Sequence, residues 1–225
     1  MTEGLDWARW AVSRWDAFPV DDEPRPLVLL GPAAHARNGF RSQRAKRAFL
    51  NGWIESEVDV PGGVLDVLGR RPGGEAPIVI TAARRAEIEQ RTDRGPRWLP
   101  GWELTSEQTL GPIVVLDPEV LAHAWSPPTA GPAPPAGADP PQARVSGEAD
   151  GDTLVFRFTG AMPGSAEVVE SAQAVAVVPE AEDQEPPEAR VAVGFARRIT
   201  VTLTHPLGAR VLVDLHGHAS EVTVR

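Results

Sequence analysis

The sequence predicts an α+β protein, mainly β: an N-terminal β domain that contains helices, followed by a small antiparallel β-sandwich. Three observations predict it. Short alternating apolar and polar runs recur from residue 78 to the end, the period of half-buried strands. Helical spacing is concentrated near the start, where Trp7, Ala11, Trp15 and Phe18 recur at i, i+4, i+8 and i+11. Residues 126–142 carry seven prolines in seventeen residues, and all seven tryptophans precede them. Such a segment cannot supply ladder amides and favours extended geometry. It reads as a linker between a Trp-rich α+β domain over 1–125 and an all-β, sandwich-like domain over 143–225. The alternative is one domain with a long surface loop.

The elements follow in order. Residues 4–17 form a helix with Arg9, Ser13 and Asp16 opposite the aromatic stripe. Residues 27–31 are a short buried strand. A second helix over 42–53 places Ala45, Phe49 and Trp53 on one side, and 64–68 is too short to assign. Strands are predicted over 78–82, 86–91, 102–105 and 112–116, with a turn at Asp93-Arg94-Gly95-Pro96 and a short helix over 118–124. After the linker, Leu154, Phe156 and Phe158 share one face of a strand over 153–159, with Val155 and Arg157 on the other. Residues 167–178 hold two strands or one bent one, and 180–188 is an acidic loop. Strands over 191–195, 199–204, 211–215 and 221–224 complete the set. The two flanking His205-Pro206-Leu207-Gly208 read as a hairpin, with Val201, Leu203, Val211 and Val213 buried and Gly208 at positive φ.

Composition narrows the function. With 42% hydrophobic and 24% charged residues, the chain can bury a core. Acidic residues outnumber basic ones in both halves, for a net charge of −9, which argues against nucleic acid as a partner. Lys46 is the one lysine among 22 basic residues, and with 23 Pro and 21 Gly this reads as high-GC coding bias. There is no cysteine, hence no disulfide, thiolate site or thiol nucleophile. No basic leader with an apolar core opens the chain, and no apolar run approaches a membrane span. The expectation is a soluble cytoplasmic protein with no cofactor and no membrane partner.

Several strings resemble a known group. Thr92-Asp-Arg-Gly-Pro-Arg-Trp-Leu-Pro-Gly-Trp-Glu-Leu104 and Gly111-Pro-Ile-Val-Val-Leu-Asp-Pro-Glu119 stand in the first half. Val169-Glu-Ser-Ala-Gln-Ala-Val-Ala-Val177 and Val201-Thr-Leu-Thr-His-Pro-Leu-Gly-Ala-Arg-Val-Leu-Val-Asp214 stand in the second. Together they resemble a group of uncharacterised actinobacterial proteins, many exported or lipid-anchored, to which no activity is assigned. The resemblance covers roughly residues 85–120 and 150–217. Exported members of the group often carry a cysteine pair around the acidic loop. Its absence here is consistent with a reducing compartment and departs from the lipid-anchored members.

Candidate sites are few. Arg94, Arg97, Trp98, Trp102 and Glu103, beside Asp93, put guanidinium, carboxylate and aromatic groups around a Gly-Pro and a Pro-Gly pair. Stacking and cation–π contact make this the foremost ligand-binding candidate. A hairpin whose tryptophans fill the core beneath covering arginines is the plainer reading. His216 and His218, with Asp214, have the spacing of metal ligands on an extended chain, and His205 would have to supply another. A polar turn explains the same residues, and no metal is assigned. Arg37, Arg41, Arg44, Lys46 and Arg47 form a basic run that fits the solvated face of a helix. Glu87 and Glu89, flanked by Arg85 and Arg91, read as a solvated strand face. No Gly-x-Ser-x-Gly elbow, phosphate loop or His-Glu-x-x-His occurs, so no catalytic residue is assigned. The sequence therefore favours a non-catalytic protein that binds another protein or a small molecule. The alternative is a small auxiliary enzyme of a biosynthetic pathway, working through carboxylate and arginine side chains.

Overall fold

The computed structural model describes residues 2–71, 73–74, 76–128, 132–136, 146–159, 163–181 and 196–225. The strand expected over 191–195 and residues 182–188 of the acidic loop lie outside the described residues, as does part of the proline-rich segment. Strands predominate, and the fold is α+β and mainly β.

The chain divides into two compact units, one of residues 1–30, 92–95 and 125–225, the other of 31–91 and 96–124. This differs from the division expected at 126–142. The reason lies in the first helix. α1 (Thr2–Ser13) carries Trp7, Ala8, Ala11 and Val12, which one short helix cannot bury against itself. They pack with Trp15 and Phe18 on the C-terminal strands, and Trp125 joins the same cluster. The tryptophans therefore do not mark a separate core: Trp7, Trp10, Trp15 and Trp125 belong to the first unit.

The second unit runs through β1 (Ala34–Ala36), α2 (Gln43–Leu50), β2 (Ile54–Ser56), α3 (Gly62–Val67), β3 (Ile78–Ile80), β4 (Ala82–Thr92), β5 (Gly95–Thr105), β6 (Ile113–Leu116) and α4 (Pro118–Ala122). Residues Thr92–Gly95, at the hairpin tip between β4 and β5, are grouped with the first unit. One sheet has the order β1-β6-β5-β4, and β2 pairs with β3 in parallel. Ser42 caps α2 by accepting the Ala45 amide, as its residue type predicts. Asp117 caps α4 through the Glu119 amide. The core gathers Ala45 and Ala48, Ile54, Val64 and Leu65, Ile78 and Ile80, Leu104, Ile113 and Val115. Phe49 and Trp53 pack at its edge. Glu87 and Glu89 are exposed, on the side of β4 opposite buried Ile88 and Gln90.

The first unit continues with β7 (Ser146–Asp150), β8 (Thr153–Thr159), β9 (Pro163–Glu170), β10 (Ala174–Ala181), β11 (Ala196–Thr202), β12 (Val211–Val213) and β13 (Glu221–Val224). Two sheets result, ordered β12-β10-β9 and β11-β8-β7-β13. Their inner faces share one core of Leu154, Phe156, Val175, Val177, Leu212 and Val222. This is a sandwich. Most pairs are antiparallel, but β10–β12 and β7–β13 are parallel. The outer face of β10, Ala174, Ala176 and Val178, packs on α1. Hence Ala174-Val-Ala-Val-Val is buried on both sides, as a continuous apolar run predicts.

Two expected elements are corrected. Residues 27–31 make isolated bridges, Leu29 to Thr92 among them, and no regular strand. The hairpin around Pro206 does not form: β11 pairs with β8, whereas β12 pairs with β10 in the other sheet. The four predicted residues are nonetheless buried, and Gly208 has φ +49°. Alternation specifies a face, not a neighbour.

Candidate functional site

The connection between β11 and β12 crosses from one sheet to the other, and its geometry is set by a few residues. Leu207 is fully buried in the sandwich core and anchors the middle. Pro206 removes a backbone donor, and Gly208 supplies the left-handed residue that follows Leu207. The carbonyls so freed are taken by three guanidinium groups. Arg210, itself buried, donates to the carbonyls of His205, Pro206 (3.1 Å) and Ser171 (3.3 Å). Arg94 donates to the carbonyls of Gly208 and Arg210, each at 2.7 Å. Arg25 donates to the carbonyl of Ala209 at 2.7 Å.

Each brace has a fixed charge partner. Arg210 pairs with Glu170 at 2.7 Å, and the other Glu170 oxygen accepts the Thr204 amide at 2.7 Å. Burial by itself raises the Glu170 pKa, but the Thr204 amide, the Arg210 guanidinium and the Thr204 hydroxyl outweigh it and lower it. Arg25 makes a two-pronged contact with Asp93, which is almost fully buried. The Arg25 guanidinium also lies 4.8 Å from the centroid of the Phe18 ring.

Against this braced wall lies a cleft of about 720 Å³, lined by Val20, Asp21, residues 170–172 and residues 204–210. Its opposite edge is the β9–β10 turn, where Ser171 Oγ accepts the amides of Gln173 and Ala174. Val20, Ala172, Pro206 and Ala209 offer apolar contact, with exposed Asp21 and His205 at hand for polar contact. The volume lies within the range of about 300–1,000 Å³ usual for small-molecule sites. Glu170, Ser171 and Arg210 are all committed to structural bonds. These bonds hold and orient the cleft wall.

No protein-family model matches the chain, and no curated protein or solved structure matches it either.

The structure distributes the five foremost candidates of the sequence. Arg94 belongs to the first unit, as a brace of the cleft wall, whereas Arg97, Trp98, Trp102 and Glu103 lie on β5 in the second. Arg97 and Trp98 are exposed, Trp98 at 64%. Trp102 packs at the edge of the second core beneath Arg85, whose guanidinium is 5.5 Å from the ring centroid. Glu103 points from the opposite face of β5 and is held by Arg37 at 2.9 Å and by Arg84. Cross-strand register places His35 beside Val114, itself opposite Glu103. Burial and then the Arg37 charge lower the His35 pKa.

Asp214 organises the His216-Gly217-His218 turn: one carboxylate oxygen accepts the amides of His216 (2.9 Å) and His218 (2.8 Å). Its other oxygen is 3.4 Å from His218 Nδ1, and His205 belongs to the separate cleft wall. Among the described residues, no three His, Cys, Asp or Glu side chains are grouped to hold a metal. In the basic run, Arg41 and Lys46 line a second cleft of about 630 Å³ with Asn38, Phe40 and Leu110. Sequence reasoning missed Arg25, Glu170 and Arg210. One signal was present: Arg210 opens the apolar run Val-Leu-Val, where a charge must find partners or stay out of the core.

Proposed function

We propose that this chain is a non-catalytic binding protein that takes a small ligand in the cleft between the β9–β10 turn and residues 204–210. One observation carries the reading. The cleft wall is held in place by three guanidinium groups, so the site exists before the ligand arrives, and ordering costs are already met by the fold. The ligand has an apolar body seated near Val20, Pro206 and Ala209, and a polar group that reaches Asp21 or His205. The protein is of the actinobacterial type described above and works in the cytoplasm. Among the described residues, no helix is long and apolar enough to cross a membrane.

A fragment screen by ligand-detected NMR tests this, with Ala172→Trp as the blocking variant. Ala172 is exposed on a turn, so the indole fills the cleft without entering a core. Fragments of about 15 heavy atoms should bind with Kd near 1 mM, at about 0.3 kcal/mol per atom. They should be recovered unchanged and should lose binding to Ala172→Trp. Hits that bind both chains equally, or that are consumed, contradict the proposal.

A further inference from the structure

We infer that the Trp7–Trp10 edge of α1 is a recognition site for proline-rich peptide, occupied in this chain by its own residues 132–136. The two indoles meet edge to face, with centroids 5.3 Å apart. Trp7 is buried and anchors the pair, while Trp10 is only partly covered. The Arg14 guanidinium lies 5.4 Å from the Trp10 centroid. Trp10 Nε1 donates to the carbonyl of Pro132 at 2.8 Å, across 122 residues of chain.

The chemistry on the two sides matches. Proline has no amide hydrogen, so a proline-rich strand offers carbonyls and ring faces only. An indole N–H is a donor only, and its ring is a flat apolar platform. Pro132-Ala133-Pro134-Pro135 carries prolines three apart, the repeat of a polyproline II helix, so Pro132 and Pro135 lie on one edge. Pro135 is half-buried and is the least exposed residue of this stretch. Aromatic surfaces with a donating indole are how proline-rich ligands are bound in general.

The contact is also thin. Pro132, Ala133, Pro134 and Ala136 are exposed, and the indole hydrogen bond is the one that ties the segment to α1 among the described residues. An intramolecular ligand enjoys an effective concentration of about 1 mM or more, so a weak contact suffices to hold it. A proline-rich peptide of a partner protein with comparable intrinsic affinity competes for the same indole. The segment then acts as a cis competitor that sets how much partner is needed. This inference is independent of the cleft at 204–210.

The test follows the Trp10 indole N–H by ¹⁵N NMR in the full chain and in a variant with Pro132→Ser, Pro134→Ser and Pro135→Ser. The probe is a synthetic peptide with the sequence of residues 126–142. The indole resonance should move in the triple variant and return towards its original position as peptide is added, with Kd of about 1 mM. The unaltered chain should need about twofold or more peptide for the same response, because about half or more of its sites are already filled by the tethered segment. Trp10→Phe added to the triple variant, with peptide now followed on the neighbouring Trp7 indole N–H, should remove binding while the far-ultraviolet spectrum and Tm stay unchanged, since the ring's packing is largely kept. An indole resonance identical in both chains, or no response to peptide at 5 mM (about five times that Kd), overturns the inference. Binding that survives Trp10→Phe overturns it equally.

Discussion

Arg210 carries more structural bonds than any apolar contact near the cleft can replace. Its side chain is 10% exposed and that of Glu170 16%, so the pair sits in a low-dielectric setting where losing one partner strands the other. Arg210→Ala should lower stability by about 3 kcal/mol in urea denaturation, combining a stranded carboxylate with unpaired carbonyls. Arg210→Lys should recover less than half of that, because one ammonium cannot span Glu170 and the carbonyls of Ser171, His205 and Pro206. The same pair gives a pH dependence. The folded Glu170 carboxyl has a pKa below the ordinary 4.5, so the unfolded chain binds more protons and stability rises with pH across that range. Its contribution is complete above 4.5 and disappears as the pH falls through the folded value. The stability gap between the parent and Glu170→Gln, measured by denaturant titration, should accordingly shrink as acid is added. His35 behaves with the same sign in its own range. Its lowered pKa adds stability that is present above 6.5 and lost as the pH falls through the folded value, and its NMR titration midpoint should lie below 6.5.

At the scale of elements, glycine positions separate two kinds of constraint. Gly208 adopts φ +49°, and a Cβ there would meet the Pro206 carbonyl oxygen at 3.8 Å, an ordinary contact, so Gly208→Ala should cost only the backbone term of about 1 kcal/mol. A Cβ on Gly101 of β5 would lie 2.5 Å from the Val115 carbonyl oxygen on β6 and 2.7 Å from the Ile88 side chain on β4, the two strands that flank it. Gly101→Ala should therefore cost about 2 kcal/mol or more, the range of overpacked cores, and calorimetry of both variants checks the order. Leu203→Asp would bury a carboxylate in the sandwich core and should unfold the first unit. Element identity was largely legible in the sequence, because period and run length report burial of each face. β13 falls on residues 221–224 as expected, and the 167–178 run resolves into β9 and β10 around the Ser171 turn. Pairing was not legible. Val201 and Val211 announce buried faces but carry no mark of which strand lies beside them, and so the β11–β12 connection looked like a hairpin. The cleft was hidden for a related reason: its braces, Arg25, Arg94 and Arg210, are distant in sequence and meet only once the first unit closes.

The first unit as a whole is discontinuous, with its helical layer supplied by residues 1–30 and its strands by 146–225. Without α1, the outer faces of Ala174, Ala176, Val178, Val211 and Val213 would meet water. A chain lacking residues 1–30 should lose the dispersed NMR resonances of β9, β10 and β12, whereas a domain complete from residue 143 onward would keep them. The preformed cleft depends on the same layering, since the 204–210 wall is tied to both sheets and to Arg25. Amide hydrogen exchange along that wall tests the central claim most directly. The amides of Leu203, Thr204, Leu207 and Arg210 are each hydrogen-bonded, to Asp152, Glu170, Gly151 and Leu207 respectively. They should exchange as slowly as those of β12, with protection governed by opening of the whole unit. Exchange at rates within about tenfold of an unstructured peptide would show the wall opening on its own and would contradict a cleft built before its ligand.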